Sequence, residues 1–182
     1  MCTSIIFSPR DHYFGRNLDL EVTFGQQVVI TPRDYVFKFR DMPKIDHHYA
    51  MVGIALNADS YPLYFDAANE KGLGMVGLNY PDNAIYYDVK EGKDNIASFE
   101  FIPWILGQAA TVAEAKKLLS TINITKKNFS DKMQASPLHW IIADKTGVSI
   151  VVETDADGMH VYDNPVGCLT NNPQFPKQLF NL

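Results

Sequence analysis

The chain has 182 residues, 46% hydrophobic and 20% charged, which suits one folded domain with a sizeable core and excludes a disordered or fibrous chain. A formal charge of -5 gives no electrostatic support for binding nucleic acid, and no apolar run approaches the roughly 20 residues of a membrane span. Two cysteines, Cys2 and Cys168, do not make a secreted disulfide framework, and the first residues lack the basic start of a signal peptide. A cytoplasmic place and a small-molecule partner are therefore expected, with neither nucleic acid nor membrane.

In chain order, residues 3–7 and 13–17 read as a β-hairpin around the Pro9-Arg10-Asp11 turn. Further strands are expected over 27–31, 49–55, 62–67 and 73–78, spaced for antiparallel pairing. A helix is expected over 99–108 with Ser98 as its N-cap, where Pro103 would delay or kink it. Thr111-Val112-Ala113-Glu114 is a capping-box sequence, and Val112, Ala115, Leu119 and Ile122 share one helical face, which predicts a helix over 112–122. A meander over 138–143, 148–154 and 159–162 follows, with turns at 144–147 and 155–158. Strands, then helices, then strands predict an α+β domain spanning 1–182, helices packed on an antiparallel sheet.

Gly72, Gly74 and Gly77 match a dinucleotide-binding fingerprint, but a Pro81-Asp82-Asn83 turn follows where a phosphate-binding helix should open. Glycines that let a buried strand pack closely are the simpler explanation. His47 and His48 are adjacent, so in a strand they point apart and make a poor chelate; no metal is expected. His139 is available in type as a base for a cysteine, although a lone strand histidine is more often structural.

Cys2 carries more chemistry. A small residue at position 2 permits removal of Met1, which would leave a thiol and a free α-amine on one residue. Their unperturbed pKa values, roughly 8.5 and roughly 7.7 to 8.0, are close enough for proton exchange near neutrality. That is nucleophile and base together, the amine-activated form of nucleophilic catalysis. A strand starting immediately afterwards would anchor the thiol on a sheet instead of a frayed tail.

Met1-Cys2-Thr3, Phe14-Gly15-Arg16-Asn17-Leu18-Asp19, Asn69-Glu70-Lys71-Gly72-Leu73-Gly74, Gly77-Leu78-Asn79, Leu138-His139-Trp140 and Leu169-Thr170-Asn171-Asn172-Pro173 run in order along the whole chain. With these motifs the chain resembles the choloylglycine hydrolases, N-terminal-nucleophile amidases that include bile salt hydrolases and penicillin V acylases. Within that family it is similar to bile salt hydrolases of intestinal Gram-positive bacteria.

The resemblance implies an αββα sandwich and a role for several positions. Cys2 would be the nucleophile and, through its amine, the proton carrier. Arg16 would favour the thiolate, and Asp19 would orient the α-amine. Both could converge on Cys2 only if the chain bends at Asn17-Leu18. Asn79 and Asn171 would supply donors to the oxyanion and substrate. Leu18, Ala58, Phe65, Phe129, Met133 and Leu138 would surround the steroid. No cofactor is implied, and a homo-oligomer, a tetramer, is.

The implied reaction is hydrolysis of glycine- or taurine-conjugated bile salts to free bile acid and amino acid. One alternative is a penicillin V acylase, in which Tyr commonly replaces Asn79; another is an inactive, truncated relative kept for binding. Family members are longer and carry a further arginine beyond Leu182, so the chain is expected to lack the C-terminal part of the sandwich.

Overall fold

The computed structural model describes residues 1–181. Its first half holds strands β1 (Thr3–Phe7), β2 (Tyr13–Asn17), β3 (Gln27–Thr31), β4 (Met51–Ala58), β5 (Tyr61–Asn69) and β6 (Leu73–Asn79). A short strand β7 (Asp94–Ala97), helices α1 (Phe101–Gln108) and α2 (Val112–Leu119), and strand β8 (Ile122–Thr125) form the middle. Strands β9 (Leu138–Asp144), β10 (Ser149–Asp155), β11 (Gly158–Asp163) and β12 (Cys168–Thr170) and helix α3 (Phe175–Phe180) complete the order. Seven strands make one antiparallel sheet in the order β11-β10-β9-β6-β5-β4-β3, and β12-β1-β2 make a second.

Side chains alternate across a strand, so each face of the large sheet buries its own set. Met51, Ala55, Ala67, Met75, Trp140, Ile142, Ile150 and Val152 face Phe101, Ile105, Val112 and Ala115 of the two middle helices. Val76, Leu78, Ile141 and Val151 on the other face pack against Cys2, Leu169 and Phe175, with Ile6 and Phe14 alongside. β6, in the middle of the stack, is accordingly buried from Leu73 through Leu78. The result is a helix layer, a large sheet and a small sheet, with the start of the chain between the sheets.

The glycine fingerprint serves this packing. A Cβ on Gly74 would lie 2.6 Å from the Phe14 ring, so the small sheet approaches the large one only because that position is bare. Gly72 holds the tight turn into β6 at φ +90°.

Several boundaries differ from expectation for local reasons. Residues 98–100 form a single 3-10 turn and α1 starts at Phe101, so Ser98 is not its cap. Glu100 stands at the cap position without a side-chain cap bond to α1; its buried carboxylate instead accepts the N–H groups of Ala97 at 2.9 Å and Arg40 at 2.7 Å. Pro103 falls in the first turn of α1, where the missing N–H costs nothing. Half of the capping box forms: Thr111 Oγ1 accepts the Glu114 N–H at 3.2 Å, while the Glu114 carboxylate reaches one residue further back and accepts the Ala110 N–H at 2.7 Å. α2 nevertheless ends at Leu119, because Ile122 leaves for β8, which pairs parallel with β7.

Candidate active site

Cys2 directly precedes β1 and points into the space between the sheets, 5% exposed. Its backbone N–H donates to Asn171 Oδ1 at 2.6 Å, and its Sγ lies 3.7 Å from the carbonyl oxygen of Asp19. Asn171 in turn donates through Nδ2 to the carbonyl of Asn79 at 2.6 Å. One side-chain amide thus ties the start of β1 to the end of β6. Asn17 clasps the other side, accepting the Thr3 N–H at 2.6 Å and donating to the Met1 carbonyl at 3.0 Å.

The strand β2 ends at Asn17, which supplies the bend that Arg16 and Asp19 need. Arg16 faces inward and stands opposite Ser4, so it is the diagonal neighbour of Cys2 across the β1–β2 ladder. Its Nη1 meets Asp66 Oδ2 at 3.2 Å and its Nη2 donates to the Gly77 carbonyl at 3.2 Å, while its buried Nε has no partner. Asp19 turns outward, and its carboxylate pairs with the Met1 ammonium, whose pKa this hydrogen bond raises. With Met1 in place, then, Asp19 holds the amine of residue 1, and Cys2 contributes an amide N–H to Asn171.

His139 and Trp140 occupy opposite faces of β9 and both are buried, because both faces of the large sheet are covered. His139 is not turned toward Cys2: Nδ1 is 2.9 Å from Glu153 Oε1 and Nε2 is 2.8 Å from the Thr170 carbonyl. His48 is likewise bound to two backbone carbonyls, those of Tyr49 and Tyr35. Among the described residues Asp155, Asp157 and His160 bring ligand-type atoms within 4.8 Å of one another on the β10–β11 hairpin, but Asp155 accepts the Tyr80 hydroxyl and His160 pairs with Asp157. Cys168 is half-buried, more open than a core thiol, and burial raises its pKa.

The family model for linear amide C-N hydrolases, choloylglycine hydrolase family, matches residues 2–182. The chain belongs to the choloylglycine hydrolase family. It is 50% identical over 182 residues to the bile salt hydrolase/transferase of Lactiplantibacillus plantarum, covering all of this chain and 56% of that protein. The crystal structure of a mutant conjugated bile acid hydrolase from Clostridium perfringens superposes with a TM-score of 0.93 at 36% identity, over all of this chain and 56% of that one. Penicillin V acylase from Agrobacterium tumefaciens gives 0.80 at 22% identity over 98% of this chain and 55% of its own, a likeness of fold. The architecture is therefore that of the N-terminal-nucleophile hydrolases, in a chain spanning about half the length of its relatives.

Six positions of this family member were expected around a steroid, and the structure divides them. Leu18 packs on the apolar cluster of Cys2, whereas Leu138 packs on the helix-side core. Ala58 closes β4, and Phe65 is the unpaired residue of a β-bulge between β4 and β5, so its side chain is redirected. Phe129 stacks edge-on with Phe99 under the Arg40 guanidinium, and exposed Met133 completes the turn beyond it. The sequence reading overlooked Asp66 and Asn17. Asp66 carried one signal, a charge at an inward position of a strand whose neighbours are apolar.

Proposed function

We propose that this chain carries the nucleophile of an amidase acting on glycine- or taurine-conjugated bile salts. The observation that carries the reading is Cys2, held between two sheets with its nitrogen on Asn171 and its sulfur over the bend between Arg16 and Asp19. Removal of Met1 would convert the Cys2 N–H into an amine at the same place, beside the Asp19 carboxylate that Met1 now occupies.

In this reading the amine takes the thiol proton and the sulfur attacks the carbonyl carbon of the bile salt amide. Donors of Asn79 and Asn171 hold the oxyanion; losing one such donor costs roughly a hundredfold or more in rate. The amine passes its proton to the departing nitrogen, the C–N bond breaks, and free glycine or taurine leaves a thioester on Cys2. Water then cleaves the thioester and restores the thiol, so the cycle needs no cofactor or metal. Leu18, Ala58, Phe65, Phe129, Met133 and Leu138 supply apolar surface for the steroid. A homo-oligomer, a tetramer by family resemblance, and a cytoplasmic setting complete the reading; no helix among the described residues is long and apolar enough to cross a membrane.

Penicillin V acylase chemistry uses the same nucleophile, but Asn79 stands where those enzymes commonly carry Tyr. Comparing rates on taurocholate and penicillin V, with the N-terminal mass measured in parallel, tests the proposal. Faster release of taurine by protein lacking Met1, abolished by Cys2→Ala, is the expected result. Protein lacking Met1 that cleaves no conjugated bile salt would sink it, and Met1 retained in the cell would favour the inactive binding relative.

A further inference from the structure

The fully buried pair of His139 and Glu153 takes no part in the chemistry above, yet it touches four elements that meet at the site. His139 is on β9 and Glu153 on β10; the imidazole reaches the carbonyl of Thr170 on β12, and the carboxylate accepts the N–H of Phe175 at the start of α3 at 2.9 Å. Asn171 lies between those two anchored residues. We infer that His139 and Glu153 are positioning residues of the amidase site, a buried clamp that fixes the backbone around Asn171 and through it the nitrogen of Cys2. The inference rests on the amidase reading, since it assigns the pair to that reaction.

Hydrogen-bond chemistry defines the clamp. A carbonyl only accepts, so Nε2 must carry a hydrogen toward Thr170. Glu153 Oε1 already accepts from Phe175, which leaves one further proton between Nδ1 and Oε1. Wherever along that bond the proton sits, the pair has no net charge, which is how two ionisable groups remain in a site with 0% exposure. Glu153 Oε2 is buried without a partner, so the arrangement is costly to keep. The titratable groups facing the pair are Tyr80, stacked on the imidazole at 4.3 Å and 4°, Tyr162, and Asp155, which accepts the Tyr80 hydroxyl. Burial raises both phenols, so they stay protonated near neutrality. Gln178 steadies the same segment, accepting the Thr170 N–H at 3.1 Å and donating to the Asn171 carbonyl at 2.9 Å.

The test uses the 182-residue chain, its His139→Leu variant, which removes the donor to Thr170, and its His139→Gln variant, which keeps one. On taurocholate the Leu variant should lose kcat about tenfold or more with KM within about twofold, and the Gln variant should recover most of the loss, because a misplaced Asn171 affects the transition state more than substrate binding. Equal losses in the two variants, or a change in KM alone, would overturn the clamp. The rate of Cys2 alkylation by iodoacetamide, read by peptide mapping, needs no turnover; it should change in the Leu variant and not in the Gln variant. In nitrogen-labelled parent protein the Nε2–H of His139 should be visible and slow to exchange with solvent, and an Nε2 that carries no proton refutes the pair's role whether or not a variant folds. If the parent cleaves no bile salt, the amidase reading falls, while alkylation and exchange still decide the clamp.

Discussion

Arg16 and Asp66 are 50 residues apart in the chain and meet between the two sheets, with side chains 7% and 18% exposed. Asp66 also accepts the Ile54 N–H at 3.2 Å, at the bulge where the β4–β5 register slips. Asp66 both holds the Arg16 guanidinium in place and offsets its buried charge. Replacing Asp66 with Asn leaves that charge with a carbonyl and no anion, and should cost about 3 kcal/mol of folding stability. Denaturant melts measure it; an Asp66→Asn midpoint equal to the parent's would mean that solvent or another group already neutralises Arg16. Nothing in the chain around Asp66 announces its partner. The family motif containing Arg16 is legible, whereas the carboxylate that supports it becomes visible only when the sheets are stacked.

At the scale of elements, local signals are legible in the sequence and distant pairings are not. β1, β2 and β3 begin and end where alternation and turn residues place them, and Thr111 caps α2 as expected. Thr111→Ala should therefore cost about 1 kcal/mol, read from the same melts, and an unchanged midpoint would show that packing alone fixes α2. The parallel β7–β8 pair, three-residue β12 and α3 leave no such signal, because each is too short to show a period and each is completed by a remote partner. The turn after β5 shows another such tie. Glu70 accepts from the Arg33 guanidinium and from the Ala50 N–H, and these bonds, that to Arg33 first, bring its carboxyl down to about 2. A depressed folded-state pKa contributes stability above the ordinary carboxylate range and loses it as pH falls. The stability gap between the parent and Glu70→Gln should thus be full above about pH 5 and vanish near pH 2; a gap that survives strong acid would point to a role other than charge.

Over the whole molecule, the small sheet covers only the middle of the large one. Val28, Ile30 and Val52 remain 67%, 73% and 46% exposed on β3 and β4, and Ile5, Phe7 and Tyr13 line the outer face of β1 and β2. Uncovered apolar faces of this kind drive association. The 182-residue chain should therefore sediment as a concentration-dependent assembly, and Ile5→Lys with Ile30→Lys should shift it toward monomer. A monodisperse monomer of the parent at every concentration would contradict this.

The bond from Cys2 to Asn171 joins residues 169 positions apart, and β1 is completed on one side by β12. On a ribosome adding roughly 5 to 20 residues per second, β1 waits on the order of ten seconds or more for its second neighbour. During that wait Asp19 and Asn17, which hold Met1, are already made, while the partner of the Cys2 nitrogen is not. The order of synthesis thus gives N-terminal processing an interval in which the Cys2 nitrogen is still unbound, and whether an amine or an amide stands at that residue becomes a contest between an aminopeptidase and the docking of β12.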